Sequence, residues 1–214
     1  MKARTPSSAP LPRITVISSP ATSTQVGSGT ESLLLRLAGA PPCMILIREK
    51  HLSGRQLFAL ARDARKLPLT AGSRLLVSER IDIALTVGLD GVHLPEEACP
   101  LHLLRKAAPS LIFGRSVHSL RDAVAAEEAG AGYLFFSPVY STPSKLAFGP
   151  PQGTEKLREV CRAVSIPVYA LGGITLERTK ECMECGAWGI AAISLFSGSE
   201  HLPSTIENLY RITG

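Results

Sequence analysis

Short aliphatic and β-branched runs alternate along the chain with longer segments of helical spacing. Residues 14–18 (ITVIS), 44–48 (MILIR), 74–78 (RLLVS), 91–94 (GVHL), 111–116 (LIFGRS), 133–137 (YLFFS), 167–171 (PVYAL) and 189–193 (GIAAI) read as strands. Between them, 31–37, 81–87, 101–108, 154–164 and 203–212 have helical spacing. Ser53 caps a helix to Lys66 whose Leu57, Leu60 and Ala61 share a face, Ser119 caps one to Ala129, and Thr175 caps one to Cys185.

The strands are near-continuously apolar, as expected for a parallel sheet covered on both faces, and eight strand–helix units are the number that closes a barrel. The expected fold is therefore α/β, a single-domain TIM (β/α)8 barrel over residues 14–214. Residues 1–13, basic and rich in Ser and Pro, are expected to form a flexible N-terminal tail. Gly88 and Gly91, Gly130 and Gly132, and Gly186 and Gly189 repeat one pattern. The first of each pair supplies a left-handed helix cap, and the second lets the next strand enter closely.

Composition narrows the function. A net charge of +5 and a pI near 9.1 favour anionic partners. The basic residues are scattered and lack an aromatic platform, which argues against nucleic acid and for small phosphorylated substrates. No apolar run reaches membrane-spanning length. The five cysteines form no secreted framework, which points to a reducing cytoplasm. The Cys182/Cys185 C-x-x-C pair falls late in a helix and reads as packing. Oligomeric state is left open, a homo-oligomer included.

In a barrel of this kind the chemistry sits at the C-terminal ends of the strands. That rule selects Arg48, Glu49 and Lys50, then Ser78, Glu79 and Arg80, then residues 93–97, Ser116, the loop 137–149, Gly172 and Gly173, and Ser194. In the loop, Thr142, Ser144 and Lys145 can converge on one anion. Gly172, Gly173 and Ser194 can offer backbone N–H groups to a phosphate. Arg48, Lys50 and Lys145 add more positive charge than one monophosphate needs, so a second group such as a diphosphate fits. The alternative is that Arg48 and Lys50 pair with Glu49.

Arg48-Glu49-Lys50 after a strand, GVHL at 91–94, GRSVHS at 114–119, TPSK at 142–145, GGI at 172–174 and Ile193-Ser194 together resemble the thiamine phosphate synthase and TenI superfamily. The resemblance implies a barrel that joins hydroxymethylpyrimidine diphosphate to thiazole phosphate, forming thiamine phosphate and releasing pyrophosphate. It further implies that Arg48, Lys50, Ser116 and Lys145 hold the diphosphate and favour its departure. Ser78, Thr142, Ser144, Gly173, Ile193 and Ser194 would bind substrate, the last five at the thiazole phosphate.

The chain departs from the synthase pattern at Leu46 for a glutamine, at Ser78-Glu79 for Asn-Asp, and at Ala98 for a magnesium-binding aspartate. Magnesium, the implied cofactor, would then fall to Glu79 and Glu97. The TenI branch, a thiazole tautomerase, carries a histidine where this chain has Pro138, leaving His93 and His118 as candidate acid–base groups. A barrel that binds thiazole phosphate or thiamine phosphate without turnover is the third reading.

Overall fold

The computed structural model describes residues 10–19, 29–142 and 150–214. Eight parallel strands close into a barrel in sequence order: β1 (Ile14–Ile17), β2 (Met44–Ile47), β3 (Arg74–Ser78), β4 (Gly91–Leu94), β5 (Ile112–Val117), β6 (Tyr133–Phe136), β7 (Val168–Leu171) and β8 (Gly189–Ala192). The helices are α1 (Thr30–Arg36), α2 (Gly54–Ala64), α3 (Ile81–Val87), α4 (Leu101–Ala107), α5 (Leu120–Glu128), α6 (Gly153–Ala163), α7 (Leu176–Glu184), the short α8 (Ser194–Ser197) and α9 (Leu202–Thr213). Every element expected from the sequence is present, with ends displaced by a residue or two. The caps are those the sequence indicates: Ser53 forms a reciprocal capping box with Gln56, Ser119 accepts from Asp122 N–H, and Thr175 accepts from Arg178 N–H.

Strand alternation divides the apolar residues between two layers. One set, including Val16, Ile45, Ile47, Val77, Leu134 and Ile190, packs outward against the helices. The other, Ile17, Met44, Leu46, Leu76, Tyr133, Phe135, Tyr169 and Ala191, fills the barrel. Three of these eight are large aromatics, and they fit because small residues face them. A Cβ on Gly114 would lie 2.0 Å from Tyr133 Cζ. Strand pairing fixes the phase, with Ser116 opposite Phe135 and Ser78 opposite His93. The inward parity that buries Leu46, Gly114 and Phe135 therefore also aims Arg48, Ser116 and Ser137 at the mouth.

The glycine pattern has the physical basis expected of it. Gly88, Gly130 and Gly186 have φ of 75°, 91° and 93°, and a Cβ on Gly189 would lie 1.9 Å from the Arg13 carbonyl oxygen. Gly132 alone has ordinary room, its nearest neighbour being 3.4 Å away.

The expected tail is corrected at its C-terminal end. Leu11 to Arg13 are pinned to the barrel floor: Trp188 Nε1 donates to Leu11 O (3.0 Å), Tyr169 Oη to Pro12 O (2.6 Å), and Arg13 Nη1 to Trp188 O (3.0 Å). The Arg13 guanidinium also lies over the Trp188 ring, 4.6 Å from its centroid. Residues 1–9 lie outside the described residues. Among the described residues no helix is long and apolar enough to cross a membrane.

Candidate active site

Strands β2 to β8 deliver the expected groups to one end of the barrel. Arg48 follows β2, Ser78 ends β3, Ser116 lies near the end of β5, Thr142 follows β6, Gly173 follows β7, and Ile193 and Ser194 follow β8. Ser144 and Lys145 lie outside the described residues.

Glu49 takes a role that its position between two cations conceals. It is 5% exposed and turns inward, accepting hydrogen bonds from Ser18 Oγ (2.6 Å) and Thr30 Oγ1, with His51 Nδ1 3.5 Å from its other oxygen. Ser18 Oγ in turn accepts from Arg48 N–H at 2.9 Å. A buried carboxylate thus ties the ends of β1 and β2 to the start of α1 and fixes the backbone from which Arg48 projects. The pairing of Arg48 and Lys50 with Glu49 is not formed. Lys50 instead meets Glu79, with Nζ 3.7 Å from Oε2 and both side chains about half exposed, 57% and 44%. An exposed pair of this kind is weak, so an incoming anion can displace Glu79 from Lys50.

Glu79 points to Lys50, Glu97 is exposed, and no cluster of three metal-ligating side chains occurs among the described residues. Ala98, aligned with the expected aspartate, packs against the apolar core. Magnesium takes octahedral oxygen ligands, usually one or two carboxylates together with substrate phosphates, and Ala98 offers no side-chain oxygen. Glu79 also has φ 63°, in the left-handed region, where its N–H donates to His93 O at 3.0 Å.

Of the two candidate histidines, His93 is a structural group rather than a free acid–base group. His93 is 5% exposed, stacked on Phe135 with centroids 4.1 Å apart. Its Nδ1 lies 3.1 Å from Tyr133 Oη and its Nε2 2.9 Å from Ser116 Oγ. Burial, reinforced by the Arg48 and Arg115 cations, lowers its pKa to about 3. His93 is therefore neutral at ordinary pH, and its contact with Ser116 orients that hydroxyl. His118 Nδ1 donates to Ser137 O at 2.5 Å, which leaves Nε2 facing Glu96, 3.8 Å away. Pro138, after a cis peptide bond, packs where a Cβ on Gly172 would come within 2.8 Å of its Cα. Nothing at that position can transfer a proton.

The side of the mouth formed by the loops after β7 and β8 is backbone-rich. Gly172 and Gly173 have φ of 98° and 67°, and a Cβ on Gly173 would lie 2.7 Å from Tyr140 Cβ. Only glycine allows both the conformation and the close approach. Beside them α8 begins at Ser194, so the loops after β7 and β8 share one corner. Sequence reasoning missed Ser18 and Thr30 as partners of Glu49, and Arg178 as a partner of this corner. The Glu49 contacts join residues 31 and 19 apart in the chain, which no local pattern marks; Arg178 lies five residues after Gly173.

The family model for thiamine monophosphate synthase matches residues 16–196. The chain is 40% identical over 168 residues to the thiamine-phosphate synthase of Pyrococcus horikoshii, covering 78% of this chain and 81% of that one. It is 37% identical over 187 residues to the thiamine-phosphate synthase of Methanoculleus marisnigri, covering 86% and 89%. The solved thiamine phosphate pyrophosphorylase of Pyrococcus furiosus superposes with a TM-score of 0.81 at 33% identity, covering 94% of this chain and 95% of that one. With the closed barrel and the mouth residues in place, this chain belongs to the thiamine monophosphate synthase family.

Proposed function

We propose that the protein is a thiamine phosphate synthase that joins hydroxymethylpyrimidine diphosphate to thiazole phosphate. The observation that carries this reading is the presence at one barrel end of a cationic side, Arg48 and Lys50 with Ser116, and a backbone-donor side, Gly173 with Ile193 and Ser194. Two anionic substrates need two such subsites, whereas a tautomerase needs one and an acid–base group besides. The placement of Pro138 and the buried, neutral His93 count against the tautomerase.

In the proposed reaction the bond between the pyrimidine methylene and the diphosphate oxygen breaks, its electron pair leaving with pyrophosphate. The thiazole ring nitrogen then forms the new carbon–nitrogen bond. Arg48 and Lys50 neutralise the charge that develops on the leaving group, and Ser116, oriented by His93, donates a hydrogen bond to it. Lys145 is assigned to the same group from its place in the TPSK run, and Ser144 with Thr142 to the thiazole phosphate. Loss of one such preorganised donor costs about 3 kcal/mol of transition-state stabilisation. Holding the second phosphate at Gly173 and Ser194 sets the nitrogen in line with the methylene. The site acts in the cytoplasm, where the five thiols stay free.

The test is pyrophosphate release and thiamine phosphate formation by the purified protein with both substrates, with magnesium and with a chelator. Product in either condition supports synthesis. Tight binding of thiazole phosphate without product would establish the binding-only reading, which the missing carboxylate at Ala98 favours.

A further inference from the structure

The loops that carry Thr142 and Gly173 leave neighbouring strands, and the side chain of Arg178, outside the site, contacts both. Beyond β6 the chain runs on alongside β7: Val139 N–H donates to Leu171 O at 2.9 Å and Tyr140 N–H to Gly172 O at 3.0 Å. This brings Tyr140 against Gly173. Arg178, in the first turn of α7, reaches back over both. Its Nη1 donates to Gly173 O at 2.7 Å, and its Cζ stands 4.6 Å from the centroid of the Tyr140 ring. The far end of that ring is held one turn further along the helix, where Tyr140 Oη donates to Glu181 Oε2 at 2.6 Å. Burial and that acceptor raise the Tyr140 pKa, so the hydroxyl remains a donor at any ordinary pH. The base of the clamp is firm, because Thr179 and Cys182, on the inner face of α7, are both fully buried.

The guanidinium therefore meets the carbonyl of one proposed phosphate-binding residue and the ring two positions before another. A planar, multidonor group is suited to this double contact; a point charge makes it less well. We propose that Arg178 is a positioning residue for the thiazole phosphate half of the mouth, locking the Gly173 peptide and the Tyr140–Thr142 segment in one relative geometry through its hydrogen bond and its contact with the Tyr140 ring. This rests on the assignment of thiazole phosphate to that half.

The test is steady-state kinetics and amide hydrogen exchange of Arg178→Met. Loss of a charge-assisted hydrogen bond and a ring contact is expected to raise KM for thiazole phosphate about tenfold, with kcat and KM for the pyrimidine diphosphate within about twofold. Segments 138–142 and 171–174 should exchange faster in the substrate-free variant. Tyr140→Ala should add little on top of Arg178→Met, since both break the same clamp. Arg158→Met removes the same charge from a side chain that, among the described residues, pairs with Glu184 O and Glu155, and should change neither readout. An unchanged thiazole KM with unchanged exchange overturns the proposal, as does an equal rise in both KM values. If the wild-type protein shows no turnover, faster exchange in Arg178→Met upholds the clamp and the missing turnover counts against the substrate assignment alone.

Discussion

Replacing His93 with asparagine should remove a defined part of the protein's sensitivity to acid. The imidazole sits 5% exposed between Phe135, Tyr133 and Ser116, and its pKa falls from 6.5 to about 3. In the unfolded chain it takes up a proton as pH drops through 6.5, whereas the native protein resists until about 3. The unfolded state thus binds more protons in that window. The contribution to stability is complete above the upper value and declines as pH falls, with a slope approaching about 1.4 kcal/mol per pH unit. Between about pH 7 and about pH 5 the loss from this one group comes to about 2 kcal/mol. Urea denaturation of the wild type and His93→Asn at both pH values isolates it, because titrating carboxylates contribute equally to each protein and cancel in the difference. The variant will be less stable at neutral pH, having lost hydrogen bonds to Ser116 and Tyr133, yet it should lose about 2 kcal/mol less on acidification. The same pH dependence in the two proteins would refute the argument.

Three further outcomes follow from the packing. Gly114→Ala drives a methyl to within 2.0 Å of Tyr133 Cζ, and should cost about 1–3 kcal/mol in chemical denaturation while disturbing the His93–Ser116 contact and lowering kcat. Glu49→Ala strands the Ser18 and Thr30 hydroxyls and loosens the Arg48 backbone; a loss of about 3 kcal/mol is expected from thermal melts, together with a raised KM for the pyrimidine diphosphate. Burial pushes Cys43 and Cys161 up to about 12 and Cys182 to about 11, so a thiol reagent at neutral pH should label exposed Cys99 first, as peptide mass spectrometry can show.

The barrel was legible because its evidence is local. Apolar runs such as MILIR and YLFF carry the strand period, and Ser53, Ser119 and Thr175 announce helix starts by chemistry confined to four residues. The rule that function lies at strand ends then named Arg48, Ser116 and Gly173 without any coordinates. What escaped depends on which way a side chain turns. Glu49 stands between two cations in sequence yet faces Ser18 and Thr30, because burying a carboxylate demands hydrogen-bond donors and the end of β1 and the start of α1 supply them. The family resemblance offers Glu79 as a metal ligand; in the fold it meets Lys50. Leu11 to Arg13 looked like tail because short polar and proline-rich stretches carry no period; the indole of Trp188 and the phenol of Tyr169 hold them, and both come from the opposite end of the chain.

That last contact bears on how the molecule is made. Arg13 and Trp188 are 175 residues apart in the chain, and the ring closes only where β1 meets β8. During synthesis β1 emerges early and must wait, one edge unpaired, until the last strand has left the ribosome. Closing so long a loop makes this seam the slowest contact to form on grounds of chain entropy. The indole, phenol and guanidinium at the barrel floor act there as a latch: they reward the final docking step and hold shut the one joint that no shorter contact can secure.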